Sequence, residues 1–173
     1  LDQQIIGVSE YCDYPEQAKS KEKMGGFENP NIELVASKEP DLVFVSAGVQ
    51  EDIIQKLGEF GITVVALDAD TIEQVITNIR LAGILTGKEK EAEQLTDHMK
   101  AKMKEIAEKV QGLAKPKVFF EVWDDPLMSA GTSSFIHNVI EAAGGINIAA
   151  DSNERYYTFS VERLLEENPD IYI

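Results

Sequence analysis

Between Gly87 and Leu113, apolar residues recur at steps of three or four: Ala92, Leu95, Met99, Met103, Ile106, Val110 and Leu113. That spacing puts them on one face of a helix, and the remaining positions are mostly Lys, Glu, Gln and Asp. Thr86-Gly87 leads in, Gly112 and Pro116 close the segment, and neither glycine nor proline interrupts it. The pattern predicts one continuous rod of roughly 35–40 Å at the helical rise.

A repeat brackets the rod. Asn31-Ile-Glu-Leu-Val-Ala-Ser-Lys-Glu-Pro-Asp-Leu-Val-Phe44 aligns without a gap, at an offset of 129 residues, with Ser160-Val-Glu-Arg-Leu-Leu-Glu-Glu-Asn-Pro-Asp-Ile-Tyr-Ile173. Each copy opens on a good helix cap (Asn31, Ser160), places a glutamate (Glu33, Glu162) in the first turn, and runs through Pro-Asp into a strand. One unit on either side of a long helix predicts two similar lobes joined by it.

Elsewhere strand and helix patterns alternate. Ile5–Val8 reads as a short buried strand, Pro15–Ala18 as the start of a short helix, and Lys19–Lys23 as a solvated basic patch. Asp41–Ser46 and Ile62–Leu67 are near-continuous apolar runs, the signature of parallel strands covered on both faces. Helices are expected over Val49–Phe60, with Ile53, Ile54, Leu57 and Phe60 inward, and from Asp68 or Asp70 with Thr71 through Leu85. Beyond the rod come a strand (Lys117–Val122), a loop (Trp123–Gly131), a helix capped by Ser133 or Ser134, a short strand (Ile146–Ile148) and a polar-aromatic loop (Asp151–Phe159). The fold class expected is therefore α/β, two similar lobes with parallel sheets joined by one long rigid helix. The lobes would span residues 1–87 and 114–173, with 88–113 connecting them. The chain starts and stops inside elements, so we read it as a piece of a longer protein whose lobes are both incomplete.

Composition narrows the function. With 43% apolar and 27% charged residues the chain should fold. A net charge of −15 argues against nucleic acid as a partner. The single Cys12 excludes an internal disulfide. No Gly-x-Ser-x-Gly elbow or phosphate-binding loop is present. The two histidines, His98 and His137, lie in predicted helices and read as structural or solvent-facing rather than as metal ligands. Asp124-Asp125 before Pro126 reads as a turn rather than an acid–base pair.

Aromatic residues in the loops carry more information. Tyr11, Tyr14 and Phe27 fall in the first half, and Trp123, Tyr156, Tyr157 and Phe159 in the second. Such residues at strand ends suit a broad, amphipathic ligand surface.

Several short motifs carry a resemblance: Gly7-Val-Ser9 with Tyr11-Cys-Asp-Tyr-Pro15, Gly25 with Asn31-Ile-Glu33, Pro40-Asp-Leu-Val43, Leu85-Thr-Gly87, Ser129-Ala-Gly131 and Ala143-Gly-Gly-Ile-Asn147. Together they resemble the substrate-binding proteins of ABC importers for iron-siderophores, haem and cobalamin, over nearly the whole chain. Tyr11–Pro15 is most similar to cobalamin-binding members. The resemblance implies an extracytoplasmic binding protein, not an enzyme, that captures a metal chelate as ligand and holds no cofactor of its own. Ligand contacts would fall at Tyr11, Tyr14, Phe27, Ser46, Trp123 and Tyr156; Phe27 and Tyr156 match tryptophans of such members, and Ser46 stands where another tryptophan does. Glu33 and Glu162 match glutamates that engage arginines of the two permease subunits. Membrane attachment would come only through a leader or lipid anchor outside this sequence. Ferric siderophore or haem is the alternative ligand within the class. A rival of another class, an α/β metal-cofactor enzyme, needs cysteine or histidine ligands that one cysteine does not supply.

Overall fold

A computed structural model describes residues 2–48 and 50–173. Contacts divide the chain into two compact units, Leu1–Asp68 and Ala69–Ile173.

In the first unit, Asn31 caps α1 (Ile32–Ser37) by accepting from the Leu34 amide at 2.9 Å. β1 (Val43–Ser46) and β2 (Val64–Leu67) form a two-stranded parallel sheet, with Val43 opposite Val64 and Ser46 opposite Leu67. α2 (Glu51–Glu59) connects them and buries Ile53 and Leu57. Phe60, expected inward, lies beyond the helix and is exposed, as is Phe44 on β1, so this sheet is not covered on both faces. The start of the helix as expected at Val49 lies outside the described residues.

The buried strand expected at Ile5–Val8 is absent. Val8 makes a single parallel bridge to Lys23, while Ile5 and Ile6 stand exposed. One bridge leaves no ladder against which an apolar run could be covered. Glu16–Ser20 is a short 3-10 helix behind Pro15, as expected. The basic patch is only partly solvated: Lys19 pairs with Glu16, Lys21 with Asp2, and the half-buried Lys23 donates to Cys12 O at 2.7 Å.

In the second unit, α3 (Ile72–Thr86) begins with a capping box in which Thr71 and Gln74 exchange bonds. It ends at Gly87, whose left-handed φ of 66° turns the chain directly into α4 (Glu89–Val110). α4 is unbroken, as its periodicity predicts, and it packs along α3 and touches α5 (Phe135–Ala142). Its buried face differs in detail. Leu95 and Leu113 are exposed, whereas Thr96, not expected inside, is fully buried. Its hydroxyl donates to Glu93 O at 3.0 Å and accepts from Arg80 Nε at 3.3 Å, which makes its burial tolerable.

Two sheets complete this unit. β3 (Lys117–Phe119) lies between β6 (Ile146–Asn147) and β8 (Ile171–Tyr172), all parallel. β4 (Trp123–Asp124), β5 (Leu127–Ala130) and β7 (Tyr156–Thr158) form a second, antiparallel sheet. The segments holding these strands were expected to be loops. The core centres on Phe119, Ile148, Ala149 and Phe159, with Leu127, Tyr157 and Leu164 against it. α6 (Val161–Glu167) starts at Ser160, whose hydroxyl accepts from the Arg163 amide.

The repeat survives in three dimensions. α1 and α6 each carry a side-chain cap on the third amide, and each is followed by a left-handed residue, Glu39 (φ 49°) and Asn168 (φ 43°). Those two, at matching places in the repeat, are the only non-glycine residues with positive φ among the described residues. Both precede proline, whose ring disfavours the right-handed helical region for the residue before it. The unit boundary at Asp68 falls ahead of α3, so α3 groups with α4 rather than with the strands before it.

Candidate functional site

The antiparallel sheet fixes which side chains share a face. Trp123 sits opposite Met128, Met128 opposite Thr158, and Ala130 opposite Tyr156. Directly paired residues, and residues two apart, project to the same side. Trp123, Met128, Tyr156 and Thr158 therefore occupy one face. The other face carries Leu127 and Tyr157, which pack on the core, and the buried Ser129, which donates to Phe120 O at 2.9 Å. Ala130, two residues from Met128 and opposite Tyr156, shares the first face and is fully buried, so that face is covered at Ala130 and open around Trp123, Tyr156 and Thr158. Trp123 is 60% exposed and Tyr156 43%, and the indole N–H donates to Asp125 O at 3.0 Å, orienting the ring. The result is a preformed aromatic and thioether surface.

Three contacts support this surface from behind. Gly131 passes so close to the neighbouring loop that a Cβ there would lie 2.4 Å from Glu154 O and 2.6 Å from Ser152 O. Asn147 is buried; its Nδ2 donates to Ala130 O at 2.7 Å and its Oδ1 accepts from the Ala149 amide at 3.0 Å. The same Nδ2 faces His137 Nδ1 at 3.3 Å, which assigns the ring's proton to Nε2, beside Glu141. His137 is structural, as expected, and His98 is exposed.

In the first unit the predicted residues divide into two groups. Tyr11 and Tyr14 project from a loop and are 80% and 85% exposed. Tyr11 borders an open recess with Glu10, Cys12, Asp13, Lys19 and Lys23. Phe27 and Ser46 are brought together by Gln50, which the sequence reading missed. The buried Gln50 side chain donates to Phe27 O and accepts from the Ser46 amide at 2.7 Å. A buried amide with one donor and one acceptor partner is the right group to bridge two loops. Met128 and Thr158 were missed too, for lack of any signal short of the strand register, and Asn147 was noted only as part of the Ala143–Asn147 motif, without its bridging role.

Glu33 and Glu162 are exposed in the first turns of α1 and α6, and among the described residues neither makes an ion pair. The backbone N–H of Glu162 and the Ser160 hydroxyl, at 2.9 Å, hold the Glu162 carboxyl below its ordinary range, so it stays charged. No group of three His, Cys, Asp or Glu able to hold a metal ion occurs among the described residues. No helix among them is long and apolar enough to cross a membrane.

Parallel α/β elements and a long helix are the architecture of the periplasmic binding proteins. The chain belongs to the periplasmic binding protein family, whose sequence profile matches residues 1–173. It is 33% identical over its full length to YvrC of Bacillus subtilis, an uncharacterized ABC transporter substrate-binding lipoprotein, covering 57% of that protein. It is 31% identical to the vitamin B12-binding protein of Salmonella typhimurium, over 97% of this chain and 64% of the relative. The crystal structure of a possible iron-binding (periplasmic solute-binding) protein from Staphylococcus epidermidis superposes with a TM-score of 0.84 at 29% identity, over 99% of this chain and 68% of the other. The chain thus spans about three fifths of the length of these curated relatives. The family consists of extracytoplasmic substrate-binding components of transporters, which bears out the resemblance read from the motifs.

Proposed function

We propose that the whole protein is the substrate-binding component of an ABC importer, not an enzyme, and that it captures a corrinoid such as cobalamin between two lobes. The lobes would comprise residues 1–87 and 114–173 with their missing parts, joined by 88–113. The chelate is cargo rather than a resident cofactor. The single observation that carries this reading is the outward face bearing Trp123, Met128 and Tyr156, preformed and held from behind. Aromatic rings and a thioether give a flat, polarisable bed for a large macrocycle. Tyr11, Tyr14, Phe27 and Ser46 supply the first lobe's share of contacts. The similarity to the vitamin B12-binding protein supports the corrinoid. The similarity to the Staphylococcus epidermidis protein supports the second reading, an iron chelate or haem on the same surface.

Calorimetry on the full-length protein with cyanocobalamin, cobinamide, haem and ferric siderophores separates the two. Trp123→Ala and Tyr156→Ala should each weaken the preferred ligand about tenfold. Silence from every chelate refutes the reading.

Delivery to the permease would use Glu33 and Glu162. Their exposure, the absence of an ion pair to either among the described residues and their matching places in the repeat support that role. Each would meet an arginine across the interface, where losing one partner costs about 2 kcal/mol or more. Replacing both by alanine should leave ligand affinity intact and abolish association with the transporter. Unchanged association returns both to complementing their helix dipoles.

A further inference from the structure

Arg163 follows Glu162 directly and reaches back across the segment that carries Tyr156. Its Nη1 donates to Asp151 Oδ2, its Nη2 donates to Ile148 O at 3.1 Å, and its guanidinium lies 4.9 Å from the centre of the Phe159 ring. The other Asp151 oxygen accepts from the Tyr157 hydroxyl at 2.8 Å, and that hydroxyl also lies 3.1 Å from Ala149 O. Both carboxylate oxygens are thus used, one by α6 and one by β7. A solitary surface ion pair would be worth little. Here the guanidinium also serves a backbone carbonyl and a ring, and the carboxylate also serves a phenol, so the groups hold one another in place. Tyr157 alternates with Tyr156 along β7, so fixing the first on the core side fixes the second on the outward side.

We propose that Arg163 is a positioning residue that makes β7 and the first turn of α6 one body, so that a chelate seated against Tyr156 stiffens the turn bearing Glu162. The chelate part rests on the function proposed above; the clamp does not. A binding protein gains from such a link, because its docking turn then differs between the empty and loaded states.

Hydrogen exchange on the full-length protein tests this, with Tyr157→Phe as the mild variant and Arg163→Met as the severe one. In the free protein both variants should speed exchange about tenfold, together, at the Tyr157–Phe159 amides and at the Arg163 and Leu164 amides, with α4 unchanged. Loosening of β7 with α6 still protected overturns the clamp. With cyanocobalamin or haem bound, the wild type should gain protection in the first turn of α6, and Tyr157→Phe should gain it only in β7. Equal gains at α6 in the wild type and both variants overturn the coupling. If neither probe binds the wild type, cobinamide or a ferric siderophore takes their place; silence from every chelate makes the ligand reading fail, and exchange in the free protein alone then decides the clamp.

Discussion

The two aromatic surfaces are built differently. In the second unit Trp123 and Tyr156 sit on a sheet, with register, an indole hydrogen bond and a buried Asn147 fixing them. In the first unit Tyr11 and Tyr14 hang from a loop, more exposed and with no side-chain hydrogen bond among the described residues, and only Phe27 and Ser46 are tied, through Gln50. A surface that is already ordered loses little freedom on binding, whereas a loop must be ordered by its ligand. On the function proposed above, the second unit's surface would select the shape of a ligand and the first unit's loop would adapt to it.

The harshest way to break this contrast is Gly131→Ala. The added methyl meets two backbone carbonyls of the neighbouring loop, those of Ser152 and Glu154, which cannot move as a side-chain tip can. We expect a loss of about 2–3 kcal/mol in denaturant unfolding and, in hydrogen exchange, release of the Ser152–Arg155 loop.

The two buried amides sharpen the comparison. Asn147→Ala strands Ala130 O, the Ala149 amide and His137 Nδ1, and should cost about 2–3 kcal/mol. Gln50→Ala strands one carbonyl and one amide beside half-exposed loops, and should cost about 1–2 kcal/mol. Equal losses, measured by urea titration, would mean that the first unit is as firmly tied as the second.

Tyr157→Phe should cost about 1 kcal/mol at neutral pH. Burial, and after it the Asp151 carboxylate, push the Tyr157 phenol above its ordinary value, so folding favours the protonated hydroxyl. That contribution is whole below the unfolded value of about 10 and is lost as pH rises beyond it. The stability gap between wild type and Tyr157→Phe should therefore shrink in alkali. Thermal melts of both proteins from pH 7 to 11 check the sign.

The smallest effect lies in the repeat, outside both surfaces. Glu39 and Asn168 share the left-handed conformation, which costs asparagine less than glutamate. Glu39→Asn should stabilise the first unit by about 0.5 kcal/mol, while Asn168→Glu should destabilise the second by a similar amount.

Sequence by itself determined the long helix, the alternating α/β order, the repeat with its caps, and the family. These depend on local signals: a 3.6-residue period, a side-chain oxygen ahead of a helix, a proline after it. It also picked out Trp123, Tyr156, Tyr157 and Phe159 together as aromatics of polar segments, of which Trp123 and Tyr156 are exposed while Tyr157 and Phe159 pack in the core. Only the tertiary structure decided that Trp123 and Tyr156 share a face with Met128. That follows from the antiparallel register of three short strands, and strands of two to four residues leave no readable alternation. Burial of Thr96 in place of Leu95, loss of the strand expected at Ile5–Val8, and the bridging roles of Gln50, Asn147 and Arg163 were decided in the same way. Each depends on which distant backbone comes within hydrogen-bond reach, and a one-dimensional pattern does not contain that distance.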